Sequence, residues 1–181
     1  MRVLCDVDGV LAQWKVVFRK HLADVGFEID NIAWNSPDLP LTKAEREYAW
    51  MKMSEPGVAC DLEPLPGAIE GVKKIAKIAD VYFVTAQVER SRTWVYDREN
   101  WLIKHFGQEL GSKVVNTHYK YLVKGDMLID DKEYNMKAWK KAFPGGIGVL
   151  WDHPHNQNYN TVGVRMSDWY EPYKAIMERG R

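Results

Sequence analysis

Hydrophobic positions along this chain fall into short apolar runs separated by longer amphipathic stretches. The first run, Val3-Leu4-Cys5, leads directly into Asp6-Val7-Asp8-Gly9. Others lie at 81–84, 114–116, 127–129, 147–151 and 162–165. Runs of this length, bounded by Gly, Asp or Asn, predict strands buried on both faces. Between them, apolar residues recur at helical spacing. Trp14, Val17, Phe18 and Leu22 mark a helix over 13–25 that Gly26 stops. Thr42 with Glu45 is a capping-box pattern opening a second helix that carries Ala49, Trp50 and Met53. Further helices are predicted from Ile69, Val72, Ile75 and Ala76 after Gly67, over 91–106 with Trp94, Trp101, Leu102 and Phe106, and over 133–142. A terminal helix carries Trp169, Tyr173, Ile176 and Met177 after Ser167-Asp168. Strands alternating with helices imply an α/β fold with a parallel sheet covered on both faces. Residues 14–62 read as a helical insertion after the first strand, dividing the chain into a core of 1–13 and 63–181 and the inserted segment. The stretches 27–41 and 152–160 read as loops rich in Pro, Asn and Asp.

A chain of 181 residues is long enough for one domain with a sizeable core. Acidic and basic residues balance at 25 each, which argues against a protein built to coat nucleic acid or a membrane surface. Two cysteines, Cys5 and Cys60, do not make a disulfide framework and form no CxxC pair. Reduced thiols and a cytoplasmic location are therefore expected. The charged motif follows the start directly, so no signal peptide is expected, and no apolar run approaches the length of a membrane span.

The chemistry gathers at strand ends. In open parallel sheets, ligands bind beyond the carboxyl ends of the strands. That edge would receive Asp6 and Asp8, then Thr85, then Lys120, then Asp130 and Asp131. Neighbouring carboxylates repel one another and call for a cation or a shared proton. Mg²⁺ suits them, as a hard ion that takes oxygen ligands and bridges to phosphate. A hydroxyl and a lysine would then hold phosphoryl oxygens, where charge spreads in the transition state. Lys124 competes with Lys120 for this role, and spacing to the acidic pair favours Lys120. His153, His155 and Asn156 read as a structured loop beside the site rather than a metal centre. Arg90 and Arg92 read as a solvated helix start, and Trp34 and Trp50 as packing within the insertion.

Taken together, Asp6-Val7-Asp8-Gly9-Val10-Leu11-Ala12, Phe83-Val84-Thr85, Lys120 ahead of Gly125-Asp126-Met127-Leu128-Ile129-Asp130-Asp131, and the later His153-Pro154-His155-Asn156 resemble the haloacid dehalogenase-like superfamily. Within it, the chain is similar to the 5′(3′)-deoxyribonucleotidases, over the core from residue 1 to about 170. The resemblance implies a three-layer Rossmann-like sandwich with a small helical cap. It implies Mg²⁺-dependent hydrolysis of a nucleoside or deoxynucleoside monophosphate through an aspartyl-phosphate. Asp6 would be the nucleophile, and Asp8 the general acid and then the base. Asp6, the Asp8 backbone carbonyl, and Asp130 or Asp131 would hold the metal. Thr85 and Lys120 would bind phosphate. Relatives often carry a small polar residue after the threonine; here it is Ala86, which leaves a backbone N–H for the phosphate but no side-chain hydroxyl. Relatives place an aromatic near Trp14 against the base or sugar, and packing between insertion and core is the alternative for that residue. The expected partner is a small phosphomonoester, with no membrane and no stable nucleic-acid complex, and with a homodimer left open. A sugar phosphatase, a nucleic-acid 3′-phosphatase and a catalytically silent phosphate binder are the rival readings.

Overall fold

The computed structural model describes residues 1–29, 34–159 and 163–179. Its strands are β1 (Arg2–Cys5), β2 (Asp80–Thr85), β3 (Val114–Asn116), β4 (Met127–Asp130), β5 (Ile147–Trp151) and β6 (Val164–Met166). They form one parallel sheet in the order β3-β2-β1-β4-β5-β6. The helices are α1 (Trp14–Ala23), α2 (Lys43–Met53), α3 (Val58–Asp61), α4 (Ala68–Ile75), α5 (Trp94–Phe106), α6 (Gln108–Gly111), α7 (Glu133–Ala142) and α8 (Tyr170–Arg179).

The period of two along each strand sends alternate residues to opposite faces, and both faces are covered. Leu4, Val84 and Leu128 pack with Met136 and Trp139 of α7. Val3, Cys5, Phe83 and Ile129 join the larger cluster on the other face, which runs on into Trp14, Phe18 and Leu22 of α1. The expected α/β architecture with a parallel sheet is what forms. Chain order reverses beside β1: β2 and β3 lie to one side, β4, β5 and β6 to the other. Such a reversal opens a crevice at the carboxyl edge. Asp6 follows β1 there, and Asp130 and Asp131 end and follow β4.

The capping box at Thr42 is formed: its hydroxyl accepts the Glu45 N–H at 3.3 Å, and Glu45 accepts the Thr42 N–H at 2.7 Å. Helix α7 and strand β5 have the predicted limits. Several other limits differ, three of them with a clear local cause. The helix expected over 91–106 begins only at Trp94, because Ser91 N–H closes a turn on the Val88 carbonyl and Thr93 turns its hydroxyl to Asp97. The first helix stops at Ala23, two residues early, as the chain reverses at Gly26 with φ +78°. Trp169 precedes α8 instead of lying in it, while Asp168 caps the helix by accepting the N–H groups of Tyr170 and Glu171. Val162 of the last predicted strand, residues 30–33 of the first loop and Asn160 of the second lie outside the described residues. Among the described residues, no helix is long and apolar enough to cross a membrane.

The turn after β1 fixes the site. The N–H groups of Leu11 and Ala12 both donate to the Val7 carbonyl, at 2.8 and 2.9 Å, winding residues 7–12 into a tight loop. Gly9 takes φ +88°, and a Cβ there would stand 2.5 Å from Asp131 Oδ2. Glycine therefore serves both the backbone conformation and the close approach of Asp131. Gly9→Ala should cost at least about 1 kcal/mol from the left-handed conformation alone, with the clash against Asp131 added. Urea unfolding of the variant checks this, and a midpoint equal to wild type would contradict it.

Candidate active site

Asp6 leaves β1 with its side chain almost fully enclosed. Its Oδ1 accepts the Val7 N–H at 2.7 Å and lies 2.7 Å from Lys120 Nζ. Lys120 sits on a 3-10 turn, Lys120–Leu122, between β3 and β4, and is 3% exposed. Its ammonium also donates to Asp130 Oδ2 at 2.7 Å. One buried cation thus bridges two buried carboxylates. Lys124, the competing lysine, is exposed. Burial works against the charge on Lys120, but Asp130 and Asp6 outweigh it and raise its pKa above the ordinary lysine value. Burial, with Asp130 and Asp131 adding to it, pushes the Asp6 carboxyl well above the usual range despite Lys120.

The paired acids at the end of β4 are not equivalent. Asp130 Oδ1 accepts the Lys132 N–H at 2.8 Å and the Asn135 amide at 3.2 Å, while Oδ2 takes Lys120 and Asn135. Its acceptor capacity is used. Asp131 is also fully buried, yet neither of its oxygens has a hydrogen-bond partner among the described residues. Lys132 Nζ and His155 Nε2 stand 3.2 and 3.1 Å from Asp131 Oδ2. Both of these ion-pair contacts fall on Oδ2 and none on Oδ1. Burial raises the Asp131 pKa, but Lys132 and His155 together hold it far below the usual carboxylate range. Asp131 therefore keeps one oxygen, Oδ1, without a cation or hydrogen-bond partner among the described residues, and could hold a metal through it. Ligand atoms of Asp6, Asp130 and Asp131 all lie within 4.8 Å of one another. The donor set is all carboxylate oxygen, which suits a hard divalent cation such as Mg²⁺. No histidine joins this group among the described residues.

A cavity of about 510 Å³ opens over these groups. Asp6, Asp8, Lys120, Asp131 and Lys132 line its polar floor; Asp130 lies behind Lys120 and does not line it. Trp14, Trp50 and Met53 from the insertion and Trp94 from α5 form apolar wall, and Ala86 to Arg90 form the rim after β2. Thr85 ends β2 as expected, but its Oγ1 is buried without a partner among the described residues, and it is Ala86 that faces the cavity. Trp14 is both packed and placed at the cavity. It meets Phe18 and Trp34 edge-on and lies nearly parallel to Trp50, with centroids 6.0 Å apart. Trp50, expected only to pack, also lines the cavity, as does Arg90.

Sequence reading missed Arg98. This fully buried arginine donates from Nη2 to Asp8 Oδ1 at 2.6 Å. The signal was present, since Arg98 falls four residues after Trp94 and three before Trp101, on the helix face that the tryptophans assign to the core. Burial raises the Asp8 pKa, and Arg98 opposes it without reversing it.

The model of the family described as 5′ nucleotidase, deoxy (pyrimidine), cytosolic type C protein matches residues 1–180. The mitochondrial 5′(3′)-deoxyribonucleotidase of Mus musculus is 30% identical over 204 aligned positions, covering 100% of this chain and 87% of the relative. The cytosolic-type enzyme of Homo sapiens is 25% identical, covering 100% and 95%. Among solved structures, a haloacid dehalogenase-like hydrolase from Streptococcus pneumoniae superposes with TM-score 0.60 at 10% identity, covering 96% of this chain and 97% of its own. A HAD-hydrolase from Bacillus subtilis bound to magnesium superposes with TM-score 0.59 at 12% identity, covering 97% of each.

The Lys120 bridge generates a stability prediction. Removing one partner from a buried ion pair strands the other charge, at about 3 kcal/mol or more. Lys120→Met should lose about that much in urea unfolding with a chelator present, whereas Lys124→Met should stay within about 0.5 kcal/mol of wild type. Equal shifts for the two would contradict the bridge.

Proposed function

This chain belongs to the 5′(3′)-deoxyribonucleotidase family and has the haloacid dehalogenase-like hydrolase fold, and we propose on that premise that it is a Mg²⁺-dependent phosphatase of deoxynucleoside monophosphates that works through an aspartyl-phosphate on Asp6. The observation that carries this reading is the floor of the cavity: Asp6 bridged by Lys120, beside the buried Asp131 carboxylate whose Oδ1 has no partner among the described residues.

In the proposed reaction the Asp6 carboxylate attacks phosphorus, and the bond to the nucleoside oxygen breaks. Asp8 gives its proton to that oxygen as it leaves. Burial, which raises the Asp8 pKa, favours the protonated form needed for this step. Asp8 then takes a proton from water, which attacks the phosphorus of the aspartyl-phosphate and frees inorganic phosphate. Lys120 supplies fixed positive charge to the phosphoryl oxygens and, by bridging to Asp130, is itself held in place. Ala86 and Gln87 line the cavity after β2, and their backbone N–H groups would bind a further oxygen. Asp6, Asp131 and the Asp8 carbonyl would hold Mg²⁺, which supplies further positive charge against the phosphate and relieves repulsion between the two carboxylates. Asp130 supports Lys120 in this scheme and is not the direct ligand, because its oxygens are already taken.

We assign substrate choice to the insertion, residues 14–62, acting as a small cap. Trp14 and Trp50 supply a flat apolar wall on which a base can lie. The free thiols of Cys5 and Cys60 suit the cytoplasm, and the relatives include cytosolic and mitochondrial types.

The test is kcat/KM for a panel of deoxynucleoside and nucleoside monophosphates, a sugar phosphate and 4-nitrophenyl phosphate, with Mg²⁺ or with chelator. Deoxynucleotides should be preferred and chelation should abolish turnover. A preference for the sugar phosphate, or full activity in chelator, would overturn the reading. Base stacking on an aromatic is worth about 1–3 kcal/mol, so Trp14→Ala should raise KM for nucleotides by about 10-fold to 100-fold and spare 4-nitrophenyl phosphate. A parallel loss on both substrates would make Trp14 a packing residue alone.

A further inference from the structure

Arg98 is costly where it stands. It is 0% exposed on α5, and its guanidinium lies 5.2 Å from the ring centre of Trp94 and 5.7 Å from that of Trp101. Of its donors, Nη2 reaches Asp8 Oδ1, while Nε and Nη1 are buried without a partner among the described residues. A dehydrated guanidinium with two unpaired donors is unfavourable without an opposite charge beside it, and the faces of two indoles attract a cation only weakly against that cost. Packing therefore does not account for an arginine here, whereas its contact with Asp8 does. Arg98 is not among the residues lining the cavity, so it acts through Asp8 and not on a substrate. The helix that carries it is tied to the insertion on both sides of this residue. Asp97 accepts the Gly57 N–H at 2.8 Å, and Trp101 Nε1 donates to the Leu62 carbonyl.

We propose that Arg98 is a positioning residue for the leaving-group step. It occupies Oδ1 of Asp8 with a donor, so the transferable proton sits on Oδ2, and it fixes the direction in which that oxygen faces the ester. In the step concerned, the bond from Asp6 to phosphorus forms and the bond from phosphorus to the nucleoside oxygen breaks. The Oδ2 proton moves to the departing oxygen, leaving Asp8 as a carboxylate paired with Arg98. The inference rests on the reading of Asp8 as proton donor. It makes Arg98 important for poor leaving groups and nearly irrelevant for good ones.

The experiment compares kcat/KM, which reports steps up to departure of the leaving group, for two substrates. A deoxynucleoside monophosphate leaves as an alkoxide and needs the proton; 4-nitrophenyl phosphate leaves as a stabilised phenolate and does not. Enzymes carrying Arg98→Met, Arg98→Lys and Asp8→Asn are measured beside wild type, with thermal melts to confirm folding. Misplacing a catalytic group by about 1 Å costs on the order of 100-fold. Arg98→Met should lose about that factor on the nucleotide, through kcat and not KM, and stay near wild type on 4-nitrophenyl phosphate. Arg98→Lys, which keeps the charge but not the fork of donors, should recover part of the loss with the same selectivity. Equal losses on both substrates, or none, would overturn the inference. If Arg98→Met fails to fold, the selectivity of Arg98→Lys decides in the same way. Asp8→Asn separates the two levels. Selective loss in Asp8→Asn with unselective loss at Arg98 removes the role of Arg98 alone. Unselective loss in Asp8→Asn removes the proton-donor reading, and this inference with it.

Discussion

Repulsion among buried carboxylates is the constraint on which this structure turns. Asp6, Asp130 and Asp131 crowd together at the carboxyl ends of adjacent strands, with ligand atoms within 4.8 Å of one another and almost no solvent. In a low-dielectric setting such charges cannot coexist unpaired. Lys120 bridges Asp6 and Asp130 and offsets part of their repulsion, and the Lys132 backbone and Asn135 amide complete Asp130. Asp131 has Lys132 and His155 against Oδ2, while its Oδ1 has no partner among the described residues. The three acids are thus compensated unequally, and the proposed divalent ion would relieve the charge that Lys120 leaves unbalanced. The surrounding choices follow from it. Gly9 has no side chain because Asp131 comes so close, and Asn156 donates to the Asp131 carbonyl at 3.0 Å, holding the backbone from behind.

The second theme is the way distant segments reach one edge of the sheet. The reversal of strand order beside β1 puts three strand ends around a single crevice. The residues between β1 and β2 then cover it with aromatic surface. Trp14, Phe18, Trp34 and Trp50 form a connected set of ring contacts, and Trp14 and Trp50 also face the cavity. Asp6, Asp8, Asp131 and Lys120 therefore line a cavity that also carries an apolar aromatic wall. Helix α5 joins the two halves, holding Gly57 through Asp97 and Asp8 through Arg98.

Much of this was legible in the chain. The alternation of apolar runs and helical periodicities predicted a parallel α/β sheet, and the acids fell at strand ends because strand ends are where buried runs meet polar loops. Family resemblance rested on the same motifs and is upheld by the match over residues 1–180. What could not be read has physical causes. Helices α3 and α6 span four residues each, too few for a period of 3.6 to show. Asp130 and Asp131 are identical in composition and adjacent in sequence, so only their hydrogen-bond partners tell them apart. The spacing of Arg98 from Trp94 and Trp101 did put it on the core face of its helix, but its partner Asp8, 90 positions away, leaves no trace in local pattern. Trp14 packs against rings contributed by separate segments, a fact about tertiary structure that helical spacing does not carry.

The central claim is that Asp6 carries the phosphoryl group. Enzyme turning over a deoxynucleoside monophosphate with radiolabelled phosphate can be quenched in acid and the protein separated from small molecules. The account predicts label on the protein that is stable in acid and released by mild alkali, as an acyl phosphate is, and no label on folded Asp6→Asn. Active enzyme that never traps label at any quench time, or label that persists in Asp6→Asn, would contradict it.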